Sequence, residues 1–155
     1  MSARVSRLPR RVRDREGGFS LLEVLIGIVV FSIGLLGMAS LQMNALKNNQ
    51  SSAYRMQAVV LSYFMFDAMR ANRADVENGN YNLAKTCNIP APGSTLVSND
   101  QRYWLGRLKE SLGDADTTCG EIDCDGMNCT VRVYWDDSRA AGGSDAQVFE
   151  TSSRL

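Results

Sequence analysis

The chain has 155 residues, of which 45% are hydrophobic, with 17 basic and 17 acidic side chains in balance. This length suits one compact domain, and a smaller one if part of the chain enters a membrane. Histidine is absent and no phosphate-binding or dinucleotide-binding glycine motif occurs, so we expect no enzyme, cofactor or metal site.

The first 18 residues are strongly basic. They hold six arginines against Asp14 and Glu16, so 11 basic and 15 acidic residues follow Gly18 and give that part a formal charge of −4. Arginine-rich segments beside an apolar run stay in the cytoplasm, which predicts that the rest of the chain lies outside it. Clustered arginines also attract nucleic-acid phosphates. Their position before an apolar span explains them more simply, and we expect no nucleic-acid partner.

An uncharged apolar run at residues 24–41 follows this leader. As a helix it would span about 27 Å, close to the hydrocarbon thickness of a bilayer. A cleaved secretory signal has a shorter apolar region and a small-residue cleavage site, for which residues 37–40 are a poor candidate. A plain signal anchor fits the length but leaves the Gly18-Phe19 junction and Glu23 unexplained.

Glu23 is an acid at the start of this apolar stretch. An acid near the middle of a spanning helix costs about 2.5 to 3.5 kcal/mol, whereas in a first helical turn near the interface the helix dipole favours it. Cleavage before Phe19 would create an α-amino group on the same helix. Glu23 of one subunit could then pair with the Phe19 amine of its neighbour, and because an unpaired ion is costly there, the pair would set the register between subunits.

The sequence GFSLLEVL at residues 18–25, after a short basic leader and before an apolar span, resembles the prepilin-peptidase signature of type IV pilins and type II secretion pseudopilins. The resemblance implies that prepilin peptidase removes residues 1–18 by cutting between Gly18 and Phe19, and that the Phe19 amine is methylated. It also implies a pilin-like α+β fold, in which a long N-terminal helix packs on a small antiparallel sheet.

The helical pattern continues beyond the membrane. Residues 42–74 are rich in good helix formers, and no proline occurs between Arg10 and Pro90. We predict one helix of about 50 residues that ends before Asn78, with a membrane and fibre-core half at residues 19–41 and an amphipathic half at residues 42–76. The apolar stripe expected to face the soluble domain consists of Ala53, Met56, Val60, Phe64, Ala68 and Ala71. The methionine set expected in the core is Met56, Met65 and Met69.

Residues 77–155 are expected to form a small periplasmic α+β domain. Residues 79–98 are predicted to be an irregular connector. A short helix is expected to begin at a cap formed by Ser98 and to end before Gly113. Its buried face should carry Trp104, Leu105, Leu108 and Leu112. Two or three strands should follow, with an edge strand at residues 147–151. The clearest lies at residues 130–135, where Val131, Val133 and Trp135 alternate with Arg132 and Tyr134. Trp135, like Trp104, is expected in the core.

Four cysteines lie in the part expected outside the cytoplasm: Cys87, Cys119, Cys124 and Cys129. We expect two disulfides, and the sequence leaves all three pairings open. The cysteines lack the close paired spacing of zinc modules. The nearby acidic residues, among them Asp114 and Asp123, miss the spacing of a calcium loop and are better explained as hydrated turns.

Three further segments are similar to minor pilins of the PilV type: residues 67–73 with 79–81, residues 133–136, and residues 31–37. Ser40 stands where major pilins usually carry a proline. The resemblance implies a low-abundance inner-membrane subunit that joins other minor pilins, the major pilin and a tip adhesin. It would prime pilus assembly and so support surface piliation and twitching motility.

Two related roles share the leader and the helix. A minor pseudopilin of type II secretion would act with secretion components instead of pilus components. A DNA-uptake pilin would need a basic exposed patch, which the charge of −4 after Gly18 disfavours. A membrane-anchored periplasmic enzyme would need catalytic groups that the sequence lacks.

Overall fold

The computed structural model describes residues 18–140 and 142–155, so the arginines of the leader lie outside the described residues. The helices are α1 (Leu21–Ala71), α2 (Arg73–Glu77) and α3 (Leu96–Leu112). The strands are β1 (Leu83–Thr86), β2 (Cys119–Asp125), β3 (Asn128–Trp135) and β4 (Gln147–Arg154). They form one antiparallel sheet in the order β1-β2-β3-β4. The expected α+β fold, a long N-terminal helix packed on a small antiparallel sheet, is confirmed.

The compact unit Ser40–Leu155 contains the hydrophobic core, to which the second part of α1 contributes one face. The buried residues of α1 are Ala58, Leu61, Ser62, Met65, Phe66 and Met69. The predicted stripe was therefore wrong: Met56 is 64% exposed and Val60 is 53% exposed. Apolar residues occur on both sides of this helix, so periodicity alone did not determine which side meets the sheet. Of the three methionines, Met65 and Met69 are buried as expected.

The long helix has 51 residues, which confirms the predicted length of about 50, but it ends earlier than the sequence suggested. α1 stops at Ala71, and the five-residue helix α2 follows after Asn72. The Asp75 carboxylate holds this break, because it accepts hydrogen bonds from the side chains of Asn80 at 2.7 Å and Asn72 at 2.6 Å. These two bonds, that of Asn80 foremost, lower the pKa of Asp75. These side-chain bonds link the break at Asn72 to the turn that follows α2.

The segment predicted to be an irregular connector contains a strand. β1 pairs with β2 through a shifted register, and Asn82 just before it binds the main chain of Cys124 with both ends of its amide. The four residues of β1 are too few and too polar to produce a clear alternating pattern. The pairing contributes a fourth strand to the sheet.

Helix α3 begins at Leu96, ahead of the predicted start. Thr95 is its cap: the Ser98 N–H donates to Thr95 Oγ1 at 3.2 Å, and the Thr95 N–H donates to Ser98 Oγ at 3.3 Å. Ser98 is the third residue of α3 and completes the capping box with Thr95, whereas the sequence had suggested Ser98 as the cap itself. The end before Gly113, which has a φ of 109°, is confirmed. The buried face is also confirmed, because Trp104, Leu105, Leu108 and Leu112 all lie in the core.

The sheet has one apolar and one polar face. Val131, Val133 and Trp135 are buried and alternate with Arg132 and Tyr134, as predicted for this strand. On the polar face, Arg132 donates to Glu121 at 2.7 Å and also binds Glu150. The remaining strand prediction is confirmed too, because β4 is an edge strand.

The structure pairs Cys87 with Cys119 and Cys124 with Cys129. The first disulfide ties the residue after β1 to the first residue of β2, across 32 positions of sequence. The second joins two residues that lie opposite each other in the β2-β3 hairpin, five positions apart. The hairpin is already closed by main-chain pairing, so the second bond restrains the unfolded chain less than the first.

We expect the two disulfides to differ in their contribution to stability. From loop-closure entropy, removing Cys87–Cys119 should lower the free energy of unfolding by roughly 3 to 4 kcal/mol, and removing Cys124–Cys129 by about 2 kcal/mol. Thermal unfolding of the paired alanine variants C87A/C119A and C124A/C129A in detergent solution measures this order. A larger loss from C124A/C129A would contradict it.

Two glycines should respond in opposite directions to alanine. A Cβ at Gly120 would lie 2.5 Å from Trp104 Cζ3, so Gly120→Ala should destabilise the protein by about 1 to 3 kcal/mol through overpacking. A Cβ at Gly106 in the middle of α3 meets nothing within 4 Å. Gly106→Ala should therefore stabilise by about 0.5 to 1 kcal/mol through helix propensity. Melting temperatures of the two variants check both signs.

Candidate functional site

The Gly18-Phe19 junction lies in exposed, non-helical backbone. Gly18, Phe19 and Ser20 belong to no helix or strand, and Phe19 is 84% exposed. A Cβ added at Gly18 would meet nothing within 4 Å. Among the described residues, none covers the peptide bond between Gly18 and Phe19.

Ser20 caps the start of α1, a role that the sequence reasoning missed. The Leu22 N–H donates to Ser20 Oγ at 3.3 Å, and the Glu23 and Val24 N–H groups donate to the Ser20 carbonyl at 3.0 and 3.2 Å. Glu23 is thereby the third residue of the helix. The Ser-x-x-Glu spacing of a capping box was the available signal. Ser20 fixes the start of the helix directly after Phe19.

Glu23 lies exposed in the first turn of α1, and within residues 18–140 and 142–155 it has no salt bridge. The helix dipole favours an acid in this position by about 0.3 to 1 kcal/mol. An unpaired acid deep in hydrocarbon costs about 2.5 to 3.5 kcal/mol. The dipole alone therefore does not offset burial of Glu23, and a cation at the same depth would be needed.

The first part of α1 is an apolar helix without a partner in the described structure. α1 is long and apolar enough to cross a membrane, and no residue of its most apolar window is buried in the protein. The hydroxyl of Ser32 donates to the Ile28 carbonyl at 2.7 Å, so this polar group is satisfied within the helix. A Cβ at Gly27 or Gly34 would meet nothing within 4 Å. These glycines lie seven residues apart on one face and allow close approach of another helix.

Among the described residues, the compact unit Ser40–Leu155 contains one buried carboxylate, which the sequence did not single out. Asp137, 3% exposed, accepts a hydrogen bond from the Ser51 hydroxyl of α1. Its own N–H donates to the Ser144 carbonyl at 2.8 Å. The contact fixes the loop between β3 and β4 to the helix.

The acidic turn and the cysteines do not assemble a metal site. Among the described residues, no group of three or more histidine, cysteine or acidic side chains could hold a metal ion. Asp114 lies 3.3 Å from the Lys109 ammonium, and the four cysteines are joined in disulfides.

Residues 13–39 match the family described as the prokaryotic N-terminal methylation motif. The match covers the end of the basic leader, the Gly18-Phe19 junction, Glu23 and the first part of the apolar helix. No curated protein and no solved structure matches the chain. The motif supports a type IV pilin-like or pseudopilin function and implies processing by prepilin peptidase and assembly with other pilins. It points to a structural subunit, not to an enzyme.

Proposed function

We propose that this chain is a minor pilin of the PilV type, made as a precursor, cut by prepilin peptidase between Gly18 and Phe19, and built into a type IV pilus or its tip complex. One observation carries the proposal. Three features occur together at the start of an exposed apolar helix: the exposed Gly18-Phe19 junction, the cap at Ser20, and Glu23, which has no cation partner among the described residues. The match of residues 13–39 to the methylation motif supports the same conclusion.

Processing would act on the open end of α1. Hydrolysis of the Gly18-Phe19 bond by water releases residues 1–18 as a leader with a free carboxylate and leaves an amine on Phe19. The amine then takes a methyl group from a methyl donor, whose leaving group departs, and loses a proton. Because Ser20 caps the helix independently of the leader, the cut would leave the start of α1 intact. The new cation would then lie one residue before the helix cap.

Assembly would follow from the charge that cleavage creates. The Phe19 amine of one subunit and the Glu23 carboxylate of its neighbour are opposite ions placed at similar depths on similar helices. In an apolar surrounding, either ion alone is costly, so helices that pair both ions in register are favoured over helices that slide past each other. Residues 24–41 would supply the apolar contact, and Gly27 and Gly34 the close approach.

The proposed location is the inner membrane, with residues 77–155 in the periplasm before incorporation into the fibre. The basic leader favours this orientation. Two disulfides also suit a compartment that is oxidising. The proposed partners are prepilin peptidase, other minor pilins, the major pilin and a tip adhesin. The PilV subtype is supported by the similarity of residues 31–37, 67–73 and 133–136 to that group.

N-terminal mass spectrometry of the chain recovered from sheared surface fibres tests processing and incorporation together. We expect a mature chain that begins with methylated Phe19. Recovery of an intact Met1, or of a chain cut near Ala39, would overturn the proposal. Copurification with secretion components instead of pilus components would assign the chain to the pseudopilins.

Removing the charge of Glu23 should impair assembly without impairing insertion. Glu23→Gln keeps the shape of the side chain but leaves the Phe19 amine of the neighbour unpaired. We expect at least about a tenfold fall in the ratio of fibre-borne to membrane-borne chain, equivalent to about 1.4 kcal/mol. Quantitative immunoblotting of sheared fibres and membranes measures this ratio. Glu77→Gln, a change at an exposed acid of α2, is the matched control and should leave it unchanged.

A further inference from the structure

Strand β4 has a free edge. The Leu155 N–H donates to the Met127 carbonyl at 2.9 Å, and the register pairs Asn128 with Arg154. In an antiparallel ladder, every second residue directs its main-chain N–H and C=O groups towards the neighbouring strand. Because Leu155 bonds to Met127, directly before β3, the main-chain groups of Val148, Glu150 and Ser152 point away from β3. Within the described part of the chain, no hydrogen bond reaches those groups. β4 thus presents a row of unused donors and acceptors.

This edge carries few of the features that normally block pairing with another strand. Natural edge strands are often short, bulged or interrupted by proline. β4 has eight residues, no proline and an unbroken register with β3. The opposite edge, β1, has four residues and a shifted register, so it is the blunted edge of this sheet.

A hollow lies beside the start of β4. It has a volume of about 480 Å³ and is lined by Met56 and Val59 of α1 together with Trp135, Val148 and Phe149. Met56 is 64% exposed and Val148 is 46% exposed, although both are apolar. A chain paired along β4 would pass this hollow and could bury an apolar side chain in it.

Each end of this edge carries an arginine. Arg55 lines the hollow at one end and Arg154 ends the strand at the other, and neither has a salt bridge to any residue that the structure describes. Of the acids nearby, Asp67 binds Arg70, and Glu150 near the middle of the strand shares Arg132 with Glu121. A segment that carries acidic residues would complement both ends.

Charge disfavours a second copy of β4 as the occupant. Two copies of β4 paired antiparallel across a two-fold axis would bring the Arg55 end of one copy towards the Arg154 end of the other. Like charges at both ends of such a pairing oppose it.

We propose that the free edge of β4 binds an extended segment of a partner protein, which adds a strand to the sheet, places an apolar side chain in the hollow and sets acidic residues near Arg55 and Arg154. Main-chain hydrogen bonds supply affinity in this mode of recognition, and the hollow and the arginines supply specificity. The inference rests on the proposed function only for the nature of the partner, which would be a neighbouring component of the fibre or its assembly complex.

The test uses the full-length chain in bacteria that produce it. Photoreactive benzoylphenylalanine replaces Val148 at the edge, or Asp123 on the exposed face of β2 as a positional control. Each form is combined with Ser152→Pro or with its matched control Ser152→Ala. Both substitutions remove the 2.8 Å contact between Ser152 and Thr130, but only proline removes the outward N–H.

We expect an adduct from position 148 and none from position 123. The linked peptide should be an acidic segment with an apolar residue, and Ser152→Pro should reduce the adduct at least fivefold relative to Ser152→Ala. The double variant R55E/R154E should reduce the adduct similarly. Both arginines are exposed, so this variant keeps the fold and provides the test if Ser152→Pro does not fold. The control Arg139→Glu, at another exposed arginine, should not reduce it.

Three outcomes would overturn the inference: no adduct at position 148, an adduct to the chain itself, or equal adducts from Ser152→Pro, R55E/R154E and Ser152→Ala. Methylation of Phe19 and the share of chain in sheared fibres are measured in the same cells. A chain that begins at methylated Phe19 and reaches the fibre while the edge test fails refutes this inference alone. An unprocessed chain refutes the proposed function separately.

Discussion

A single helix has to satisfy two different surroundings, and most of the protein follows from that constraint. The first part of α1 is apolar on all sides and finds no packing partner within the described structure. The second part buries one side, with Met65 and Met69 at the centre of the core, and leaves Met56 and Val60 outside it. The sheet and α3 are required only by the second part, because a helix with one apolar face needs a surface to cover that face.

The compact unit Ser40–Leu155 is small, and a disulfide and side-chain hydrogen bonds restrain its irregularly paired edge. Cys87–Cys119 fixes the short strand β1, which pairs irregularly and would otherwise be the least secure part of the sheet. At the same edge, the side-chain amide of Asn82 hydrogen-bonds to the N–H and the carbonyl of Cys124, in place of a main-chain pair. Domains of this size bury a limited share of their surface, so disulfides contribute where the core cannot.

The features that the sequence predicted well are those set by local chemistry. Gly113 ended α3, the alternation around Val133 defined β3, and both tryptophans entered the core. The failures depended on tertiary contacts. The periodicity of α1 predicted that the side with Val60 faces the core, whereas the side with Met65 does so in the structure. The strand β1 has too little pattern to detect, and the disulfide pairing required the register of β2 and β3. At the junction, the Ser-x-x-Glu spacing of residues 20–23 is compatible with a capping box, and the hydrogen bonds to Ser20 identify that residue as the cap.

The contacts of β4 with α1 have a mechanical consequence. The loop before β4 is held to α1 by the hydrogen bond that the Ser51 hydroxyl donates to Asp137. The end of β4 is held to α1 by Arg70, which donates to Ser153 Oγ at 3.0 Å. Arg73 of α2 also donates to the Leu155 carbonyl, at 2.6 Å. Ser51 and Arg70 lie 19 residues apart along α1, roughly 28 Å at the rise of a helix. Tension along the helix would therefore load them in shear and share the force between both ends. A strand held in this way moves with the helix as one piece, so its edge keeps its position while the chain is pulled.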